Sequence, residues 1–458
     1  MLTVIAFIVA LGLLIAVHEY GHYRVAVACG VKVIRFSIGF GKTLYAWKPK
    51  KPRPGQDTEF VIGAFPLGGY VKFLDEREGP VDPVERARAF NAQPLKARAA
   101  IVAAGPAANL LLAVLLYACV NWLGVEEPLP MLGSPVADSV AADAGLRGGE
   151  RVDRAGFDDE PAEPVRSFEE VRWLLTRGAL DGRDVRLVLD RQSPGGEREL
   201  VLRLSRLDAR DADAQLMRKV GVLSPWTPAQ LGDVMPGGAA ARAGLRKGDV
   251  VRQAGGQAMG DGQQLRDWIR SQVQGGKGMA STWQVERQGR TLALTVAPDV
   301  VTDPGVPAYG RIGAYVGAPP AMVTVRYGPL EGLWKGVVRT WEVSELTLRM
   351  MGRMVVGQAS LKNLSGPLTI ADYAGKSASL GLTQYLLFLA LISVSLGVLN
   401  LLPLPVLDGG HLMYYLWEAI TGRSISDAWM ERLQRGGVAV LLVMMSIALF
   451  NDVTRLFG

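Results

Sequence analysis

The 458-residue sequence predicts a polytopic α-helical membrane protein that carries two extramembrane α/β domains. The first observation behind this is segregation. Hydrophobic residues make up 49% of the chain and charged residues 21%, with a mean hydropathy of +0.17, and the two classes are separated along the sequence rather than mixed. The second is a set of four apolar runs without a charge: 2–17, 99–124, 385–407 and 436–450. About 20 apolar residues cross the hydrocarbon core, and a shorter run can borrow flanking residues, so each run is read as a membrane helix. The third is an internal repeat in the long polar middle.

These observations divide the chain. Residues 1–124 form an N-terminal membrane part, with helices over about 2–28 and 99–123 and a loop over 32–98. Residues 125–207 and 220–300 are the two extramembrane domains, 301–382 is a linker with amphipathic character, and 383–458 is a C-terminal membrane part with helices over about 385–407 and 436–450. The first run also has the look of a secretory signal, because Ala26-Val27-Ala28 resembles a small-residue cleavage site. However, no Lys or Arg precedes the run, and cleavage there would discard the motif described next.

Only three histidines occur, and two of them frame a glutamate as His18-Glu19-Tyr20-Gly21-His22. Positions i and i+4 of a helix share a face, so both imidazoles can bind one Zn²⁺ while Glu19 serves its open position as general base. Ionisable groups in an apolar helix are costly and usually mark function. Zinc needs a further protein ligand, and 400–411 is the place to find it. There Asp408 and His411, the remaining histidine, are both chemically able to bind, and residue type alone does not choose between them. Pro403 and Pro405 favour extended backbone in this stretch, which is tolerated at membrane depth where it lines a wet cavity.

Charge sets the expected topology. Residues 32–98 hold thirteen Lys/Arg against seven Asp/Glu, which favours the cytoplasmic side. Both termini and the middle domains then lie outside, and 402–435 forms a second inside loop. The net charge of +6 suits contact with anionic lipid, and the chain carries no nucleic-acid-binding motif. Cys29 and Cys119 fall near opposite faces of the membrane, so no disulfide is expected.

The repeat is explicit. Ala144-Gly145-Leu146-Arg147-Gly148-Gly149-Glu150 recurs 99 residues later as Ala243-Gly244-Leu245-Arg246-Lys247-Gly248-Asp249. Each copy continues into a helix-like stretch, 167–176 or 264–272, and a β-rich one, 185–189 or 282–286. This pattern resembles the PDZ domains of bacterial envelope proteases, which capture an extended peptide by strand addition. Gly221-Val222 is the expected ligand loop of the second copy, and plain spacers are the alternative. Residues 328–354 read as an amphipathic helix with Leu333, Trp334, Val337, Val338 and Trp341 on one face, suited to the outer membrane surface or to packing against the membrane bundle.

Taken in order, His18 to His22, Arg35 to Gly41, Pro66 to Lys72, Ala103 to Asn109, the tandem repeat, Leu364 to Pro367 and Leu402 to His411 resemble the site-two proteases, the intramembrane zinc metalloproteases. The resemblance spans nearly the whole chain. It implies that Asp408 is the third zinc ligand and leaves His411 a supporting role. It implies that Asn400 holds the substrate backbone, although bonding the broken helix's own backbone is the alternative. It implies that residues 60–73, around Gly68, Gly69 and Tyr70, form a membrane-reentrant β-loop that pairs with substrate, where a plain hairpin is the alternative. The implied protein lies in the bacterial inner membrane, with periplasmic termini and PDZ domains and an active site near the cytoplasmic side. Its implied substrates are single-span membrane proteins, such as a trimmed anti-sigma factor, and signal-peptide remnants. The rival reading is a membrane-anchored peptide-binding scaffold with a closed, structural metal site.

Overall fold

Four helices are long and apolar enough to cross a membrane: Leu2–Ala28, Leu95–Leu123, Leu382–Asn400 and Ala428–Thr454. The computed structural model describes all residues except 51–54, 192, 194–195, 208–215, 303–306, 357–365, 424 and 458. Leu364 and Ser365 of the motif noted above therefore lie outside the described residues. The chain divides into one unit of Met1–Gly124 with Arg326–Gly458 and another of Val125–Val325.

The first unit contains, in chain order, α1 (Leu2–Ala28), β1 (Val33–Trp47), β2 (Glu59–Phe73), α2 (Leu95–Leu123), α3 (Pro329–Val355), α4 (Pro367–Leu380), α5 (Leu382–Asn400), α6 (Asp408–Thr421) and α7 (Asp427–Phe457). Apolar helices gain little hydrophobic free energy from one another in lipid, so small residues and interhelical hydrogen bonds hold them. Gly21 of α1 lies against the Ala104 carbonyl, and a β-carbon in its place would stand 2.8 Å from Ala108 Cβ. On α5, Gly397 sits as closely against Leu110 and the Pro106 carbonyl of α2. Ser393 Oγ of α5 donates to the Asn109 carbonyl at 2.7 Å, and Tyr385 Oη to the Ala6 carbonyl at 2.6 Å. The Asp452 carboxylate of α7 accepts the Gly366, Leu368 and Thr369 amides, a remote cap on the start of α4.

Boundaries differ from those read in the sequence, and the segment read as a linker over 301–382 is divided, since Ala314–Val316 and Met322–Val325 pair with strands of the second unit. The third span ends at Asn400, not 407, because Leu401 and Leu402 close tight turns onto Val398 and Leu399 and proline nitrogens at 403 and 405 cannot continue the ladder. The chain then turns rather than extends, with Leu404 N–H donating to the Leu402 carbonyl, and enters α6 at Asp408. The expected inside loop over 402–435 thus contains a helix. The last helix begins well before residue 436, and Glu431 and Arg435 pair across one turn of its polar start. The amphipathic segment, α3, packs along α2: Asn121 Nδ2 donates to the Gly332 carbonyl at 2.8 Å, and Gly336 lies close against Val114 and Ala118.

β1 and β2 each bend and pair twice. Residues 43–47 pair antiparallel with 60–63, residues 35–38 pair in the same direction with 59–62, and residues 33–38 pair antiparallel with 69–73. Two segments therefore make a four-strand arrangement with three ladders, and 69–73 lies on an edge. Gly39, at φ +90°, makes one of the bends.

In the second unit, two four-stranded antiparallel sheets share one plan. The first runs Glu163–Pro164, Val152–Phe157, Val185–Leu189, Arg198–Leu202; the second runs Gln257–Ala258, Val250–Ala254, Ser281–Arg287, Arg290–Val296. Each has one main helix, Phe168–Asp181 capped by Ser167 or Gly262–Ser271 capped by Asp261. Gly221-Val222 is not a loop of the second copy. It packs on the first, where Val136 N–H donates to the Gly221 carbonyl and Gly221 abuts Ser139. Both cysteines are free thiols.

The recurring acid of the repeat is a fixed point in both copies. Glu150 takes the Arg147 amide and the Arg198 guanidinium at 2.6 Å, while Asp249 takes the Arg246 amide and Arg287 at 2.7 Å. The arginines come from opposite arms of their hairpins, yet each also donates to the glycine carbonyl of its A-G-L turn. Burial alone would raise the Asp249 carboxyl, but Arg287 and the Arg246 amide hold it below the usual carboxylate range. A lowered folded value stabilises at pH above about 4 and is lost as pH falls through it. Asp249→Asn is expected to cost about 1–3 kcal/mol at neutral pH, read as a lower unfolding midpoint, and the gap from wild type should close on acidification. A gap independent of pH would refute the pairing argument.

Candidate metal centre

His18, Glu19 and His22 sit on the last turns of α1, where the helix has left its charge-free run. Leucine and alanine carry the helix through this point, and Gly21 lets α2 approach the same turn. Asp408 arrives from α6 at its first residue. The three donors converge: His18 Nε2 and His22 Nε2 are 3.2 Å apart, and Asp408 Oδ2 lies 3.2 Å from the first and 3.6 Å from the second. Among the described residues this is the one group of three or more such donors close enough to hold a metal ion.

The spacing fits a cation at their centre. Two ligands at about 2.0–2.1 Å from a tetrahedral zinc stand roughly 3.3–3.4 Å apart, close to all three separations. The donors have no other good use. Buried Asp408 Oδ2 has no polar neighbour beyond the two imidazole nitrogens, and two imidazole nitrogens at 3.2 Å cannot both carry protons. His22 has its other nitrogen engaged, since Nδ1 donates to the Ile101 carbonyl at 2.8 Å, which leaves Nε2 as a lone pair. His22 is 8% exposed.

Glycine makes this possible on α2. A β-carbon on Gly105 would occupy the space of His22 Nε2 and stand 2.8 Å from His18 Cε1. Gly105 precedes Pro106 inside the helix, so the backbone that touches the histidines carries no side chain. On the opposite side, a β-carbon on Gly69 would lie 2.9 Å from Glu19 Cγ and 2.8 Å from Ile15 Cγ2. The edge strand 69–73 therefore passes directly over Glu19.

The donors open into a cavity of about 550 Å³. Glu19, Gly69, Tyr70 and Val71 line it beside the three donors, and its remaining wall mixes charged groups, Asp75, Arg77, Arg98 and Glu418, with apolar ones such as Phe73, Phe90, Val102 and Met430. Arg98 and Glu418 pair at 2.7 Å, tying the start of α2 to the end of α6. Gly68 instead faces the Phe40 ring, and Asn400 is not among the lining residues. His411 lines the cavity near Tyr414, and burial pushes its imidazole below the ordinary range against the pull of Asp408. Sequence reasoning missed the contact at Gly105, the charged part of the wall and Tyr414. A Gly-Pro step in an apolar helix was the visible sign of the first, whereas the wall depends on α6, a helix inside the stretch that hydropathy reads as loop.

Crowding at Gly105 is directly testable. Gly105→Ala should overpack the donors by about 1–3 kcal/mol, felt as roughly five- to a hundredfold weaker zinc binding in competition with a chelator. Wild-type zinc affinity in this variant would remove the argument that a bare helix backbone is needed here.

The geometry can be set beside known proteins. Residues 6–444 match the model for peptidase family M50. A Ralstonia nicotianae protein that carries a provisional zinc metalloprotease name is 44% identical over all of this chain and 99% of its own length. The regulator of sigma-E protease RseP of Escherichia coli is 38% identical over 98% of both chains, and the protease RseP of Yersinia pestis matches at the same level and coverage. An N₂O donor set beside a carboxylate in a cavity agrees with those names. The chain, with four apolar helices of membrane-crossing length, therefore belongs to peptidase family M50, the site-two proteases, and is a zinc metalloprotease of that type.

Proposed function

We propose that this protein cleaves a peptide bond within or near the membrane-spanning segment of single-span membrane proteins, with zinc held by His18, His22 and Asp408. The observation that carries the reading is the meeting of these donors, Glu19 and a free sheet edge in one cavity. Zinc bound there supplies Lewis acidity, which makes water more acidic and polarises a carbonyl. Glu19 takes the proton of the attacking water and passes it to the leaving amine. His22, held by the Ile101 carbonyl, keeps its lone pair aimed inward. A helical substrate hides its carbonyls in its own ladder, so it must be drawn out. Residues 69–73, read as the edge of a membrane-reentrant β-loop, present Gly69 and Tyr70 beside Glu19 and can accept the extended segment as an added strand. Asn400, at the end of α5, is the further candidate for holding the substrate backbone.

The charge excess of 32–98 supports an inner-membrane orientation with this cavity toward the cytoplasm and with both termini and the second unit in the periplasm. The two related sheets of that unit support two PDZ-like modules, read in the sequence as 125–207 and 220–300 and each completed by a segment from beyond its own hairpin, acting as a gate on substrates. A gate of this kind suits substrates already trimmed outside, such as an anti-sigma factor, and remnants of signal peptides. Membership beside proteins named regulator of sigma-E protease is what favours the first class.

Glu19→Gln should keep about one zinc per chain and lose cleavage of a pre-trimmed single-span substrate by roughly 10²–10⁴-fold. Equal cleavage by this variant would sink the assignment of Glu19. Removal of 126–300 should leave zinc content unchanged and admit untrimmed substrate. Loss of cleavage of trimmed substrate by that folded protein would instead refute the gate.

A further inference from the structure

Asn109 lies one helical turn beyond Gly105 on α2, so it faces the same histidines. It is 1% exposed, and its backbone is fixed by the Ser393 hydroxyl. Its side-chain amide reaches His18 Nδ1, with Nδ2 at 3.4 Å, while Oδ1 is buried without a hydrogen-bond partner. That arrangement suits His18 only as the tautomer with a proton on Nε2, which cannot bind a metal. The tautomer that offers Nε2 carries its proton on Nδ1 and needs an acceptor there. A half-turn of the amide exchanges its two ends without changing its shape and brings Oδ1 to that nitrogen.

We propose that Asn109 is the positioning residue of His18, accepting the Nδ1–H through its side-chain oxygen and so holding Nε2 as the metal-binding lone pair. It does for His18 what the Ile101 carbonyl does for His22. The two histidines are thereby served differently, one by backbone and one by a replaceable side chain. The orphaned oxygen, the near-complete burial and the partner already secured by His22 all point to this role. An acceptor in this position also raises the basicity of the ligating nitrogen.

The inference rests on His18 being a ligand, so the test includes His18→Ala. Zinc affinity of the purified full chain is measured by chelator competition, and the visible d–d bands of the Co²⁺ form are recorded for Asn109→Ala, Asn109→Asp and Asn109→Leu. Asn109→Ala should bind zinc about 10- to 100-fold more weakly and shift the cobalt bands. Asn109→Asp, which keeps an acceptor, should restore both, whereas Asn109→Leu, of similar size without an acceptor, should stay as weak as the alanine variant; a role in packing alone would let leucine restore them too. Wild-type affinity in Asn109→Ala, or an Asn109→Asp as weak as the alanine variant, overturns the proposal while His18→Ala still loses zinc. Wild-type affinity in His18→Ala overturns the metal-centre reading itself.

Discussion

Two imidazoles and a carboxylate are packed between apolar helices with their lone pairs turned toward one point, and this is the constraint on which the membrane unit is built. Without a cation the arrangement is poor. Asp408 Oδ2 has no polar neighbour beyond the two imidazole nitrogens, and His18 and His22 face each other nitrogen to nitrogen. Burial of unpaired polar groups costs several kcal/mol, and more in hydrocarbon than beside water. The surrounding choices follow from tolerating it. Gly105 removes the side chain that would fill the centre, Gly21 lets α1 and α2 approach, and the break after Asn400 frees α6 to deliver Asp408 from a second direction.

Much of this was legible in the sequence because the signals are local. H-E-x-x-H sits at helical spacing, and charge-free runs mark helices whose existence needs no tertiary information. The repeat was legible for the same reason, as a string that recurs. What was illegible depends on contacts between distant segments. The choice of Asp408 over His411 is a matter of which side chain α6 turns toward α1, and no local pattern encodes that direction. Hydropathy misplaces the span ends at 400 and 428 because it reports composition, whereas a helix stops where its amides run out of partners and can begin in polar sequence, as the last one does.

Gly221-Val222 shows the same limit within the second unit. Its position in the chain lies nearer the second copy, yet its carbonyl closes a pair with Val136. Each module thus borrows a segment from after its own hairpin, as the second does when Ala314–Val316 pairs with Leu231–Val234. Sequence repeats locate the recurring turn, and the acids Glu150 and Asp249 anchor it, but they do not mark where a module ends.

The cavity itself joins two needs that conflict in a membrane. Hydrolysis consumes water, and an extended peptide must not leave its amides unpaired in hydrocarbon. The charged part of its wall, Asp75, Arg77, Arg98 and Glu418, bears on the first need, because charged side chains, among them the Arg98–Glu418 pair between α2 and α6, favour water over hydrocarbon. The strand 69–73 bears on the second, because it lies at a sheet edge beside Glu19, where strand addition would pair an extended peptide in the function proposed above. Gly69 lies where both meet, with Glu19 beneath it, and that contact explains why the strand carries no side chain at that point.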